Sequence, residues 1–166
     1  MSVETALIKL IKEKFPQHII STHSFRNDDT IIVQKDALKQ VMAFLKTDKL
    51  TQFDMLIDVT AVDHLDSEQR FEVVYHLLSL PLKQRLRVKV PLAGQEASLD
   101  SVTGIWPGAN WFEREVFDMF GITFVGHPDL KRILMYDEFE GHPLRKDYPL
   151  KKQQPRVPLR DVKTKY

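Results

Sequence analysis

The stretch Arg85-Leu86-Arg87-Val88-Lys89-Val90 alternates cation and aliphatic side chain for six residues, so one face is apolar and the other charged. That period of two is the pattern of a β-strand with one wet face, and it decides the fold class. Reading upstream, Arg70 to Leu80 and Asp54 to Val62 are further β-branched and apolar runs, set apart by short polar or proline-containing stretches. Earlier still, His18 to Phe25 and Thr30 to Lys35 flank the polar cluster Arg26-Asn27-Asp28-Asp29, which predicts a hairpin. Two amphipathic helices complete the set. Val3, Ala6, Leu7, Leu10 and Ile11 recur at helical spacing until Pro16, and Asp36 is placed to cap a second helix turning Leu38, Val41, Met42 and Leu45 inward. The order helix, two strands, helix, three strands predicts an α+β fold: a two-layer domain with a mixed sheet of about five strands and helices packed on one side.

Composition sets the limits. The chain has 166 residues, 43% hydrophobic, which fits one ordinary core. A formal charge of +1 provides no chain-wide field for nucleic acid or anionic lipid, but residues 1–125 hold 14 Lys and Arg against 17 Asp and Glu, and residues 126–166 hold 10 against 6. The basic character therefore lies in the tail. The absence of cysteine excludes disulfides, thiolate zinc sites and conventional iron–sulfur ligation. No uninterrupted apolar run reaches the roughly 18 residues of a membrane helix, so membrane contact is expected only through partners.

A third helix is expected after Trp106-Pro107-Gly108. Asn110 reads as its N-cap with Glu113 as the reciprocal capping-box residue, and Gly121 as its C-cap. Trp111, Phe112, Val116, Phe117, Met119 and Phe120 surround most of this helix, which predicts burial by its own domain or by a partner. Ser98 to Val102 reads as a helical turn stopped by Gly104. From Gly126 onward five of the nine prolines occur among many apolar residues, a combination that predicts an extended, adhesive arm lying on another protein. The expected organisation is a core domain, 1–125, and a partner-binding C-terminal arm, 126–166.

Candidate chemistry is sparse. Glu113-Arg114-Glu115 and Asp118 could be paired acid–base carboxylates, but with no nucleophile nearby an ion-paired lattice, Arg114 facing Asp118 at i,i+4, is the better reading. His127 and His142 stand near several carboxylates, yet each follows glycine and precedes proline, a turn setting that favours bonds to backbone over a metal. Arg145, Lys146, Lys151, Lys152, Arg156 and Arg160 could meet phosphates, though an acidic protein surface or water suits such a tail better. No Walker loop or GxGxxG is present.

Longer strings carry a family signal. Trp111 to Ile122 (WFEREVFDMFGI), Gly126 to Met135 (GHPDLKRILM), Glu140 to Leu150 (EGHPLRKDYPL), Leu56 to Leu65 (LIDVTAVDHL) and Arg70 to Leu80 (RFEVVYHLLSL) together resemble the C-subunit family, or 30-kDa subunit family, of respiratory complex I, the proton-pumping NADH:quinone oxidoreductase. The departure is Tyr136-Asp137-Glu138-Phe139, where the family pattern has proline before the acidic pair and tryptophan after it. The resemblance implies a non-catalytic subunit, inactive in isolation, peripheral on the cytoplasmic face of the bacterial inner membrane or on the mitochondrial matrix side. It implies packing against the quinone-site D-subunit, with the iron–sulfur B- and I-subunits nearby. No cofactor is expected in this chain; NADH, FMN, iron–sulfur clusters and quinone belong to the partner subunits. The residues expected to serve partner binding or assembly are Glu113, Arg114, Glu115, Asp118, His127, Lys131, Arg132, His142, Arg145, Lys146, Asp147 and Tyr148. The alternative is the equivalent subunit of a related membrane-bound hydrogenase or other dehydrogenase complex.

Overall fold

A computed structural model describes residues 5–94 and 97–157. The elements are α1 (Ala6–Lys14), β1 (Ile19–Phe25), β2 (Asp28–Val33), a 3₁₀ turn (Lys35–Ala37), α2 (Leu38–Thr47), β3 (Met55–Asp63), β4 (Phe71–Ser79), β5 (Gln84–Leu92), β6 (Ser98–Asp100), α3 (Ala109–Phe120) and β7 (Thr123–Val125). The main sheet has the order β1-β2-β5-β4-β3. It is antiparallel except where β2 meets β5, which makes it the mixed sheet anticipated from the sequence.

The alternating stretch lies in β5, the central strand of this sheet, with Leu86, Val88 and Val90 in the core. Its cations occupy the opposite face, where Lys89 meets Glu72 at 2.8 Å and Arg87 donates to Thr30 at 3.3 Å. The first hairpin closes over two residues, Arg26 and Asn27, whose φ values of 53° and 68° suit a type I′ turn that follows the right-handed twist of its strands. Asp28 and Asp29 begin β2.

Both N-terminal helices cover the inner face, α2 with Leu38, Val41, Met42 and Leu45 fully buried. Two expectations are corrected. Asp36 sits in the 3₁₀ turn, so that Ala37 occupies the α2 N-cap without a side-chain bond. In α1 the buried face is Leu7, Ile8 and Ile11 while Ala6 is exposed; Val3 lies outside the described residues. Thr5 caps this helix by accepting from the Ile8 amide, and its hydroxyl donates to Asp29 Oδ2 at 2.6 Å.

The predicted helical turn at Ser98–Val102 is instead strand β6, paired parallel with β7. Extended backbone puts Leu99 opposite Phe124, both buried, and the Ser101 amide donates to the Val125 carbonyl. This small second sheet fixes where α3 begins and ends. Helix α3 packs along β3, joins the one contiguous core, and delivers the chain to the arm.

Candidate functional site

Helix α3 is where the family-like string falls, and its polar side chains do not behave as an isolated helix would predict. Gly108, not Asn110, is the N-cap, and no side chain caps the helix. Glu113, fully buried, caps a different element: Oε2 accepts from Ser101 Oγ and Oε1 from the Val102 amide, both at 2.7 Å. The carboxylate thereby terminates β6 and ties it to α3. Burial pushes its pKa up to about 7, against the opposing pull of those two donors. Tyr75 lies in the same interior, its hydroxyl pushed upward by burial and then by Glu113 and Asp100.

A pH dependence follows from that shift. Glu113 holds its proton in the folded chain over a range where the unfolded chain has released it, so its contribution is full below about pH 4.5 and is lost as pH rises through about 7. The loss is on the order of 3 kcal/mol. Denaturant titrations of the parent and Glu113→Gln across this range should converge toward low pH and separate in favour of the amide above pH 7. Parallel curves would assign the titration to other groups.

The expected Arg114–Asp118 ion pair is not formed, because each side chain reaches a stronger set of partners in the arm. Arg114 donates from Nε to the Lys131 carbonyl at 3.1 Å and from Nη2 to the Arg132 carbonyl at 3.0 Å, and its guanidinium lies 5.2 Å from the Trp111 ring centroid. Asp118, fully buried, takes Arg132 Nη1 on Oδ1 at 2.6 Å and three successive amides, Ile133, Leu134 and Met135, on Oδ2 at 3.1, 2.9 and 2.8 Å. Three converging backbone N–H groups and a guanidinium outcompete one helical ion pair worth a few tenths of a kcal/mol. Burial alone would raise the Asp118 pKa; the Met135 amide, Arg132 and the other two amides hold it below the ordinary value.

The last turn of α3 is finished by the arm as well. Gly121 adopts φ 72° and donates to the Phe117 carbonyl, the left-handed cap anticipated for it. The next three carbonyls are satisfied from farther along the chain: Asp118 by His142 Nδ1, Met119 by the Leu144 amide and Phe120 by Arg145 Nε. A Cβ on Gly121 would stand 2.6 Å from both the His142 ring and Arg145 Nη2, so glycine is needed for close approach as well as for its φ. Burial lowers the pKa of His142.

A further anchor escaped the sequence reading. Asp63 at the end of β3 receives a bidentate bond from Arg70, Nε to Oδ1 and Nη2 to Oδ2, each 3.0 Å, with both side chains buried. The arm joins this pair through the Lys146 amide, 2.8 Å from Asp63 Oδ2, and Asp147, 2.9 Å from Arg70. Arg145 and Arg70 both lie against the Phe71 ring. The available signal was phase: Asp63 continues the inward series Val59, Ala61.

The remaining predicted residues separate. His127 Nε2 bonds to the Asn110 carbonyl while Nδ1 accepts from the Asp129 amide, which fixes the ring in a turn. His142 serves the other end of α3, eight residues or about 12 Å along the axis, so the two histidines do not converge. Lys131 and Asp129 form an exposed pair at 2.8 Å, Glu115 is exposed, and Tyr148 stacks on Phe139. Lys151, Lys152 and Arg156 are exposed; Arg160 lies outside the described residues. Among the described residues no group of three metal-ligating side chains occurs. The arrangement secures an arm and presents a surface. The domain itself does not cover Trp111, which is 62% exposed, and Leu134, Leu144 and Leu150 are also open.

Comparison with known proteins agrees on one family. Residues 31–154 match the family described as the respiratory-chain NADH dehydrogenase 30-kDa subunit. The NADH-quinone oxidoreductase C-subunit of Geotalea uraniireducens is 49% identical over 145 residues, 87% of each protein. Among solved structures, a trypsin-resistant fragment (1-134) of Nqo5 is 31% identical with a TM-score of 0.65, over 76% of this chain and all of that one. A chain of the membrane-bound sulfane sulfur reductase, an archaeal respiratory membrane complex, is 28% identical with a TM-score of 0.75, over 87% of this chain and 84% of that one.

Proposed function

Since the chain belongs to the 30-kDa subunit family of respiratory-chain NADH dehydrogenase, we propose that it is a non-catalytic organising subunit of the peripheral arm of a proton-translocating NADH-quinone oxidoreductase. In this reading it holds no cofactor, has no activity alone, and secures the quinone-site D-subunit beside the iron–sulfur B- and I-subunits. NADH, FMN, the clusters and quinone are then handled by those partners. The observation that carries the proposal is the use of the buried polar groups. Asp118, Arg114, Asp63 and Arg70 all hold residues 131–147 in place, and that segment leaves Leu134 and Leu144 facing outward. A fixed apolar surface of this kind suits a permanent protein contact.

The division into a core, 1–125, and an arm, 126–166, is part of the same proposal, and the match to a trypsin-resistant fragment of Nqo5 supports it. So is a peripheral position on the cytoplasmic face of the membrane. No described helix is long and apolar enough to cross a membrane, in keeping with attachment through partners. The likeness to the sulfane sulfur reductase chain favours one second reading, the equivalent subunit of a related membrane-bound oxidoreductase. Identification of the electron-input subunits that copurify separates the two.

The decisive measurement is assembly against turnover. Arg114→Ala removes a planar fork from two arm carbonyls and uncovers Trp111, whereas Arg114→Lys keeps charge without the fork. The amount of assembled complex should fall several-fold in the alanine variant and less in the lysine variant, with quinone reduction per assembled complex unchanged. Full assembly with lost turnover would instead place Arg114 in catalysis.

A further inference from the structure

Among the described residues the main sheet has two unpaired edges, and they differ. β3 carries Asp58 and Asp63 and lies under α3. β1, Ile-Ile-Ser-Thr-His-Ser-Phe, has no charged residue of fixed sign, no proline, and no buried residue along its whole length. Ile20 and Phe25 are 54% and 67% exposed. Natural sheets blunt such edges with lysine, proline or a covering segment, and β1 has only a bulge at its start, between Ile19 and Ser21.

The register shows which groups are open. A two-residue hairpin closes on a hydrogen-bonded pair, here Phe25 with Asp28, and pairing then alternates, so His23 bonds Thr30 while Ser24 and Thr22 direct their N–H and C=O away from β2. Among the described residues no side chain or loop backbone bonds to residues 20–25. Four backbone groups thus lie in line along a strand with small polar and apolar side chains.

We infer that β1 is a strand-addition site, at which an extended, uncharged segment of a neighbouring polypeptide in the assembled complex pairs with Thr22 and Ser24 and extends the five-stranded sheet by one. The occupant is set by chemistry. Only extended backbone supplies donors and acceptors at this spacing, and without charges on β1 an ionic side-chain lattice has nothing to pair with. This rests on the proposed membership of a larger complex.

Hydrogen exchange tests it at single amides. In the isolated chain the Thr22 and Ser24 amides should exchange at least ~100-fold faster than the ladder-bonded His23 amide, and assembly should slow both by ~100-fold or more. Thr22→Pro removes an edge donor but no ladder bond, so the isolated variant should melt near the parent temperature and assemble at least ~10-fold less. His23→Pro, which breaks the ladder, should lower the melting temperature. Unchanged exchange at Thr22 and Ser24 in the assembled complex overturns the inference and leaves the proposed function standing. Parent-level assembly of Thr22→Pro does the same. Protection that appears in the isolated chain and grows with its concentration would make the occupant a second copy, also against the inference. A parent chain that enters no complex sinks the functional reading and this one together.

Discussion

Asp118→Ala should destabilise the folded chain by about 3–5 kcal/mol and speed trypsin cleavage after Lys131 and Arg132 by at least ~100-fold. The substitution strands three amides, Ile133, Leu134 and Met135, and leaves the Arg132 guanidinium without its carboxylate. The amides have no exchange of partner within the bend they form, so the bend opens. Asp118→Asn keeps one oxygen for the amides and loses the charge; its effect should be about half as large. Cleavage at the parent rate in both variants, whatever the melting temperature, would show that the arm is held by other contacts.

Arg70→Ala should cost a similar ~3–5 kcal/mol near neutral pH, because it leaves the Asp63 carboxylate buried and unpaired. Here pH separates loss of the charge pair from loss of packing against Phe71. In the parent, Arg70 and then the Lys146 amide hold Asp63 below its ordinary pKa of 3.8 against burial, so the pair's contribution is present above that value and disappears as pH falls through the lowered one. The stability gap between parent and variant should therefore be widest at pH 6–8 and narrow below about pH 4. A gap that stays constant with pH would mean that the guanidinium acts by filling space. The double substitution Asp63→Asn with Arg70→Met should recover much of the loss, since a satisfied amide beside an apolar chain leaves no buried charge.

Strands β3, β4 and β5, the first hairpin, α2 and the Gly121 cap were legible because each rests on local signals: period-two alternation, a polar turn cluster, a helical stripe, a glycine at the helix end. What the sequence hid depends on groups distant along the chain. Nothing near Ser98 announces that it will pair with Thr123, and three residues are too few to show a period. Glu113 stands three residues after Asn110, as a capping box requires, but the Ser101 hydroxyl and Val102 amide reach it first. Likewise Arg114 and Asp118 have the spacing of a helical ion pair, yet each bonds residues 14 to 18 positions on. The string Trp111–Met135 pointed to the family, and the contacts of its charges came only with the tertiary structure.

The completion of α3 by His142, Leu144 and Arg145 has a consequence for synthesis. Its final carbonyls wait for groups 24 or 25 residues downstream, which a ribosome adding 5–20 residues per second delivers about 1–5 s later. Until those residues arrive, the carbonyls of Asp118, Met119 and Phe120 lack these partners. A chain released before residue 145 leaves this end permanently unfinished, so a premature stop late in the gene yields a product whose defect lies in α3, upstream of the missing residues.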